Sequence, residues 1–333
     1  MDIKIFVSHR IDIKSQLVNN PIFQQVRCGA AFDKQNPMNI AGDDTLDNIS
    51  EKRLSFCEFT VQYWAWKNAE ADYYGLCHYR RFLSFASKRY KTNEFNMIFK
   101  QMLLPSSAKK FNLTSFKKMK DMIEPYDIVA LEPADVRRIY SCEGYKNTVR
   151  ELWLSNKGIF FEEYIVDLLF ELIKEFYPEF LKSAAEYFDG IYHRGYNCFV
   201  MKKDLFYRMC KFQFDIMFEA EKRIDTTGYT TTMHRTPAFM GEMLFGIFVY
   251  HVTKYENVKI KDLQLIFFSD TSSSNSLIKN YAKCFIYWFV HLLGKASLPF
   301  FPYWSKRREV VKKIIYAIFR VKNRGVAEPK KEQ

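Results

Sequence analysis

The sequence predicts an α/β fold in which a mostly parallel sheet is flanked by helices. Short apolar segments rich in β-branched and aromatic residues alternate with longer segments of helical periodicity, and this alternation is typical of parallel sheets. The 333 residues suffice for one large α/β unit with appendages. Hydrophobic residues make up 48% of the chain and Gly and Pro are scarce, so a disordered chain or a repeat array is not expected.

The first predicted elements are two strands, a loop and a helix. Residues 2–8 and 22–28 predict strands, and the polar segment 29–53 predicts a long loop. Ser50 is expected to be the N-cap of the next helix. That helix spans 55–68, since aromatic residues recur there at intervals of three and four, at Phe56, Phe59, Tyr63 and Trp66.

The remaining elements continue the alternation of strands and helices. Pro133 is expected to end one of the strands, and Pro237 to precede the last helix of the α/β unit. In chain order we expect a strand at 72–79, an exposed Lys-rich helical segment within 85–124, a strand at 126–133, one or two helices at 160–188, a strand followed by a helix at 195–206, and a helix after Pro237.

We place a domain boundary after residue 265, between a catalytic unit and a C-terminal extension. The chain carries a net charge of +12, and the segment from Lys295 to Gln333 holds eleven basic and three acidic residues. The apolar run Cys284–Gly294 is about half as long as a spanning helix needs to be. Aromatic residues followed by basic ones favour a helix on an anionic membrane surface, with an apolar side formed by Val310, Val311, Ile314, Ile315 and Ile318. The alternative is a buried terminal helix with a solvated basic end.

The cysteines and the N-terminus indicate the compartment. Seven Cys are scattered without a CxxC pair, which favours reduced thiols over zinc ligands or disulfides. The N-terminus is apolar for about five residues before His9, too short for a signal peptide. We therefore expect a cytoplasmic protein.

Basic and hydrogen-bonding side chains follow two predicted strands where those strands end. If the two strands are neighbours, the crevice between their ends is basic and suits a diphosphate that Arg can bind through paired donors. The alternative is that each group is simply a solvated strand end. The residues are Ser8, His9 and Arg10 after the first strand, and His78, Tyr79, Arg80 and Arg81 after the third.

Well-known catalytic motifs do not occur, but several acidic residues are candidates. The sequence holds no GxGxxG, GxxxxGK[ST], HExxH or GxSxG, which disfavours dehydrogenase, P-loop and simple hydrolase functions. Glu242 lies near the start of an apolar helix and could face a cleft, or it could merely interact with the helix dipole. Loop residues could contact donor, acceptor or metal, or could only form turns, namely Asp43, Asp44, Asp47 and Asn48.

Five segments together resemble the DUF4422 family of bacterial glycosyltransferases of capsular and exopolysaccharide synthesis. The resemblance covers residues 1 to about 255 and implies a GT-A-like nucleotide-diphospho-sugar transferase fold. It also implies transfer of a sugar to a growing, lipid-linked glycan. The segments are "GDDTLDNIS", "CEFTVQYWAWKN", "DYYGLCHYRRF", "YNCFVMKKDLF" and "PAFMGEMLFGI".

The resemblance also implies roles for individual residues. Many GT-A enzymes carry Asp-x-Asp at the strand end where this chain has His78, Arg80 and Arg81. We therefore expect these three residues, with His9 and Tyr79 nearby, to bind the donor and neutralise its diphosphate, and a Mn²⁺ or Mg²⁺ cofactor becomes doubtful. Asn197 resembles the residue that holds the sugar hydroxyls. Glu242 resembles the base of inverting enzymes, whereas a retaining mechanism would need none.

The leading functional hypothesis is a hexosyltransferase that is peripheral on the inner face of the plasma membrane. The family favours a UDP-sugar donor, with galactose or galactofuranose preferred, and a lipid-linked acceptor in capsule, exopolysaccharide or O-antigen synthesis. One rival is a non-catalytic scaffold of a polysaccharide assembly complex. The other is a protein that binds nucleic acid or another polyanion, because the chain is basic and 17% aromatic; the leading hypothesis expects no nucleic acid.

Overall fold

The computed structural model describes residues 1–33, 35–272, 276–302 and 305–318. Two compact units are present, Met1–Ser272 and Ser273–Gln333. The division lies seven residues after the boundary at residue 265 that we placed from the sequence. The reason is that the strand Leu265–Asp270 crosses the expected boundary and pairs with two other strands of the sheet.

The strands are numbered in chain order. They are β1 (Ile3–Arg10), β2 (Phe23–Cys28), β3 (Ala41–Gly42), β4 (Tyr73–His78), β5 (Arg81–Leu83), β6 (Met97–Met102), β7 (Ile128–Leu131), β8 (Ala134–Asp135), β9 (Tyr140–Ser141), β10 (Gly144–Tyr145), β11 (Tyr192–His193), β12 (Phe199–Lys202), β13 (Ile260–Leu263) and β14 (Leu265–Asp270).

The α-helices are numbered in the same way. They are α1 (Arg53–Phe56), α2 (Phe59–Asn68), α3 (Pro105–Lys110), α4 (Phe116–Ile123), α5 (Val149–Leu154), α6 (Ile165–Phe176), α7 (Leu181–Asp189), α8 (Lys203–Arg223), α9 (Thr236–Tyr255), α10 (Leu277–Ala296) and α11 (Lys306–Ile318).

One large sheet organises the first unit. Its strands lie in the order β13, β7, β12, β4, β1, β2, β3, and β5, β14 and β6 extend it from β4. The ladders of β1 with β2 and β4, of β2 with β3, of β7 with β13 and of β6 with β14 are parallel. The strand β12 runs antiparallel to both β4 and β7. The predicted α/β fold with a mostly parallel sheet is confirmed.

The helix α9 is apolar on nearly every side and is enclosed by protein. It packs against α1, α7 and α8, and most of its side chains are buried, as expected for a helix without a polar face. Two glycines allow the closest contacts. A Cβ atom at Gly241 would lie 2.3 Å from Cζ of Phe59, and one at Gly246 would lie 2.2 Å from the hydroxyl of Tyr187.

The structure corrects two local predictions. The expected continuous helix at 55–68 is interrupted at Cys57, whose φ of 48° separates α1 from α2, and Ser50 begins a 3-10 turn instead of capping a helix. The segment 85–124, expected to be helical, also contains β6, which pairs with β14 about 170 residues later. Such a distant partner leaves no local signal in the sequence.

The second unit carries two helices with exposed apolar side chains. On α10, Phe285, Trp288, Phe289 and Leu292 are all between 47% and 66% exposed, and on α11 so are Val310 and Ile314, at 56% and 52%. No described helix has the length and apolar character needed to cross a bilayer. The side chains of Ile315 and Ile318 and the basic residues from Arg320 onwards lie outside the described residues.

Candidate active site

The candidate site lies at the edge of the sheet where parallel strands end together. The strands β1 and β4 are adjacent, with Ser8 opposite His78. Because β12 is antiparallel to both β4 and β7, β7 runs in the same direction as β4. The residues that follow β1, β4 and β7 therefore emerge at one edge, where open α/β sheets bind ligands.

A tight hairpin holds the basic residues after β4. His78 pairs with Arg81 across the turn, and the backbone N–H of Tyr79 donates to the Ser8 carbonyl at 3.0 Å. On the other side, the Arg80 carbonyl accepts from the N–H of Phe268 at 2.8 Å. Neighbouring strands thus fix the backbone from which both guanidiniums extend.

The guanidinium groups of this hairpin lie over aromatic rings. The Cζ atom of Arg80 is 5.4 Å from the ring centroid of Tyr79 and 5.5 Å from that of Phe267. The Cζ atom of Arg81 is 4.7 Å from the ring centroid of Tyr196. Within the described ranges, the buried Nε of Arg81 has no hydrogen-bond partner. Ring contacts hold a cation in place without neutralising it, so Arg81 can still bind an anion.

His9 and His78 do not carry the positive charge that we expected to help neutralise the diphosphate of the sugar donor. Both ring nitrogens of His9 are used inside the protein, by Ser15 at 2.8 Å and Gln25 at 2.7 Å, and burial lowers the pKa of His9 to about 4. Burial and the nearby Arg81 and Arg80 hold the pKa of His78 well below its usual range. Both rings are therefore neutral near pH 7, and His78 can contribute a hydrogen bond but no positive charge.

The segment that enters β12 brings a buried amide to the same edge. Tyr196 and Asn197 have φ values of 69° and 38°, and such strained backbone is common at functional sites. Asn197 is 1% exposed. In the part of the chain that the structure describes, neither its amide oxygen nor its amide nitrogen has a partner. A buried amide without partners is rare in folded proteins, so its atoms are suited to bind a ligand.

Glu242 lies close to this segment. A Cβ atom at Gly195 would be 3.6 Å from Oε2 of Glu242, and the nearby backbone N–H of Tyr196 acts to lower the pKa of the carboxyl group. Burial and the nearby Glu58 carboxylate raise the pKa of Glu242 to about 7, although the guanidiniums of Arg81 and Arg235 act to lower it. Because the helix starts at Thr236, Glu242 lies in its second turn, where the helix dipole has little influence.

Sequence analysis missed two charged residues beside Glu242. Glu58 follows the break at Cys57, and Arg235 directly precedes α9. The Nε–H of Arg235 donates to Sγ of Cys57 at 3.0 Å, and both Arg235 and Glu58 influence the pKa of Glu242. Glu58 and Glu242 are 184 positions apart in the sequence, and no pattern in a single sequence indicates their proximity.

The loop residues do not gather into one ligand set. Asp43 is fully buried and accepts hydrogen bonds from the backbone N–H groups of residues 29 and 30 and from the hydroxyls of Ser50 and Thr60. Asp44 and Asp47 are exposed. The amide oxygen of Asn48 accepts from the N–H of Ser50. Asp43 thus stabilises the loop and is not free to contact a donor, acceptor or metal.

The carboxylates at this edge do not fit a divalent metal ion. Among the described residues, no three His, Cys, Asp or Glu side chains are grouped so that they could hold one. The carboxylate oxygens of Asp43 already accept four hydrogen bonds from the protein. They are therefore not available to a hard cation, which needs several oxygen ligands at once. We therefore derive no chemical step through a metal.

Residues 4–254 match the model of a protein family that is described as Domain of unknown function (DUF4422). The match covers most of the chain. The chain belongs to the DUF4422 family.

A solved structure supports the fold. The DUF4422 chain is similar to the apo structure of WbbM, a bifunctional glycosyltransferase, with a TM-score of 0.73 and 27% identity. The similarity covers 83% of this chain and 47% of that one, so the chain spans about half of the WbbM chain. The expected GT-A-like α/β fold agrees with this likeness. No curated protein matches the chain significantly.

Proposed function

We propose that the chain transfers a sugar from a nucleotide-diphosphate donor to a lipid-linked glycan. The preferred donor is a UDP-sugar carrying galactose or galactofuranose, and the product would enter capsule, exopolysaccharide or O-antigen synthesis. The supporting observation is the grouping, at one edge of the sheet, of the Arg81 guanidinium, the unpartnered amide of Asn197 and the Glu242 carboxylate.

Each of these groups fits one part of the reaction. Arg80 and Arg81 bind the diphosphate, and Asn197 binds hydroxyls of the donor sugar. The acceptor hydroxyl oxygen then attacks the anomeric carbon, the bond from that carbon to the diphosphate oxygen breaks, and the acceptor proton passes to Glu242. The negative charge that develops on the leaving diphosphate is stabilised by the two guanidiniums.

The donor is tested most directly by ligand-induced stabilisation. A ligand that binds only the folded protein raises its melting temperature. We expect UDP and UDP-galactose or UDP-galactofuranose to stabilise the protein more than adenine or guanine nucleotides do. If none of a panel of nucleotide sugars stabilises it, the scaffold hypothesis is favoured instead.

Replacement of either hairpin arginine should weaken UDP binding. We expect Arg80→Ala and Arg81→Ala each to cost about 1.5–3 kcal/mol of binding free energy, the value of a hydrogen bond to a charged group. Isothermal titration with UDP measures the loss. Arg89→Ala is a matched control, because that side chain is 71% exposed and pairs with Glu132. Unchanged UDP affinity in both hairpin variants would contradict the proposal that Arg80 and Arg81 bind the diphosphate.

Removal of divalent metal should leave activity largely intact. Fixed guanidiniums occupy the position where an acidic metal-binding pair would stand, and the described carboxylates do not fit a metal. We expect sugar transfer to survive EDTA. Complete loss of transfer, restored by Mn²⁺, would instead return Asp44 and Asp47 to consideration as ligands.

The lipid-linked acceptor requires the enzyme to work at a membrane surface. The exposed apolar residues of α10 and the basic residues of α11 suit anionic headgroups. We expect the full chain to co-sediment with anionic vesicles, less so in high salt, and the double variant Phe285→Ser/Phe289→Ser to bind at least about tenfold more weakly. Phe176→Ser, at a 43% exposed position in the first unit, is the control. Binding that ignores lipid charge would contradict the proposal.

A further inference from the structure

A histidine without a role in the proposed reaction lies beside Glu242. His193 is on β11, which pairs with β8, and the rings of Trp153 and Tyr196 lie near its imidazole, at centroid distances of 5.4 Å and 6.4 Å. A Cβ atom at Gly195 would lie 2.6 Å from Nε2 of His193 and 3.6 Å from Oε2 of Glu242. The ring nitrogen and the carboxylate oxygen therefore both border the position that a side chain at residue 195 would occupy.

The absence of a side chain at residue 195 keeps this position open. The backbone does not require a glycine there, since the φ of Gly195 lies outside the left-handed region. A methyl group would instead collide with the imidazole of His193, because real Cβ atoms are essentially never found as close as 2.6 Å to another heavy atom. Glycine therefore allows the ring to lie this close to Glu242.

The other ring nitrogen of His193 ties the imidazole to the helix that carries Glu242. Its Nδ1 atom lies 3.2 Å from the hydroxyl of Tyr187, and that hydroxyl accepts from the backbone N–H of Arg194 at 3.0 Å. The same hydroxyl lies against Gly246 of α9. Gly246 follows Glu242 by four residues, so both lie on one face of α9. The ring is thus held in a fixed orientation beside Glu242.

These contacts leave Nε2 of His193 for a ligand. The hydroxyl of Tyr187 has one hydrogen to donate, and Nδ1 at 3.2 Å is closer than the Arg194 carbonyl at 3.4 Å. Burial lowers the pKa of His193 to about 4, so the ring is neutral near pH 7 and carries one proton. A ring that accepts at Nδ1 holds this proton on Nε2. Nothing in the described part of the chain forms a hydrogen bond with Nε2.

An N–H donor and a carboxylate acceptor that border the same position suit a hydroxyl group, which can accept one hydrogen bond and donate another. We propose that Nε2–H of His193 donates to the acceptor hydroxyl while Glu242 accepts the hydrogen of that same hydroxyl. The second lone pair of the hydroxyl oxygen then attacks the anomeric carbon, the proton passes to Glu242, and His193 keeps its own proton. The inference deepens the proposed function and rests on it, because it adds a residue on the acceptor side of the same site.

Two amide substitutions at His193 separate the acceptor contact from the internal one. Glutamine can place an amide N–H where Nε2–H lies, whereas the shorter asparagine reaches only the position of Nδ1. We expect His193→Asn to lower kcat/KM for the acceptor by about 10–100-fold, because the reacting oxygen is no longer held in place, and His193→Gln to retain most of it. Transfer from UDP-galactose to octyl β-galactoside measures this, and UDP binding, followed by isothermal titration, should not change in either variant.

His251→Asn is the matched control. His251 lies near the other end of α9, and its Nδ1 atom also contacts a hydroxyl, that of Ser183, at 2.8 Å. This variant should leave both kcat and KM unchanged. A purely internal role of His193 predicts the reverse order of the two amide variants, since asparagine would keep the contact with Tyr187 and glutamine would lose it. That order, or equal transfer by all variants, would overturn the inference.

NMR of the UDP-bound protein tests the position of the proton without relying on transfer. With ¹⁵N-labelled histidine, the His193 signals are assigned by their loss in His193→Asn. They should show a proton on Nε2 and should shift when octyl β-galactoside is added. A proton on Nδ1, or no shift, would overturn the inference even where no transfer to this glycoside is seen. If the unsubstituted protein does not bind UDP at all, the proposed function itself fails, and this inference fails with it.

Discussion

Glu242→Gln is expected to lower the turnover of sugar transfer by about 10²–10⁴-fold, the usual contribution of a general base. Glutamine keeps the size of the side chain but cannot accept the acceptor proton. UDP binding should stay nearly unchanged, because the diphosphate contacts lie on Arg80 and Arg81. Single-turnover assays with saturating donor separate the chemical step from binding.

The pH dependence provides an independent measurement of the same role. A carboxyl group whose pKa is raised to about 7 is protonated at lower pH, where it cannot act as a base. Activity should therefore fall as the pH drops below about 7. Glu58→Gln removes a nearby negative charge that raises the pKa of Glu242, so the acidic limb of the profile should shift to lower pH.

Glu256→Gln is the matched control for both measurements. Glu256 directly follows the far end of α9 and pairs with Arg208 at 2.7 Å, so this substitution removes a carboxylate at the other end of the same helix. It should change neither the turnover nor its pH profile. Near-normal turnover of Glu242→Gln, or a product that retains the anomeric configuration of the donor, would reject the role of base.

Asp43→Ala is expected to reduce the free energy of unfolding by about 3–5 kcal/mol, the cost of removing one partner from a buried charged network. The substitution leaves the N–H groups of Gly29 and Ala30 and the hydroxyls of Ser50 and Thr60 without the acceptor they now share, at distances of 2.5–2.9 Å. Urea denaturation followed by circular dichroism measures the change.

Asp44→Ala is the control for this loss of stability. The neighbouring residue is exposed, and exposed substitutions usually change stability by less than about 0.5 kcal/mol. Equal stability of the two variants would mean that Asp43 does not hold the loop together. A loss confined to Asp43→Ala would instead show that the residue acts on the fold, and any loss of transfer in that variant would then be secondary.

Local patterns predicted the elements that form the edge of the site. The apolar strand 72–79 ended in a basic cluster, and the structure places that cluster beside the end of β1, as expected if the two strands were neighbours. The apolar segment after Pro237 predicted α9 and with it the position of Glu242 on a helix. Such features depend on residues close in the sequence, and they are visible before folding.

Features that depend on distant partners could not be predicted. The proximity of Glu58 to Glu242 requires the segment before α2 to meet α9. The burial that makes His78 neutral, and the four donors that occupy Asp43, likewise arise only once the chain has folded. Residue type alone suggested that His78 is charged and that Asp43 is free to bind a ligand. Tertiary packing instead makes His78 neutral and occupies the Asp43 carboxylate.

The two glycines of α9 have a consequence for how the site would respond to a ligand. With Phe59 against Gly241 and Tyr187 against Gly246, α9 cannot slide along its axis or turn without a collision, since packed interiors yield little. Glu242 is thereby held at a fixed position in the site. Any closure around a bound sugar would have to come from the loops that surround the site. Crystal structures of the free and the ligand-bound protein should therefore superpose on α9 and differ in those loops.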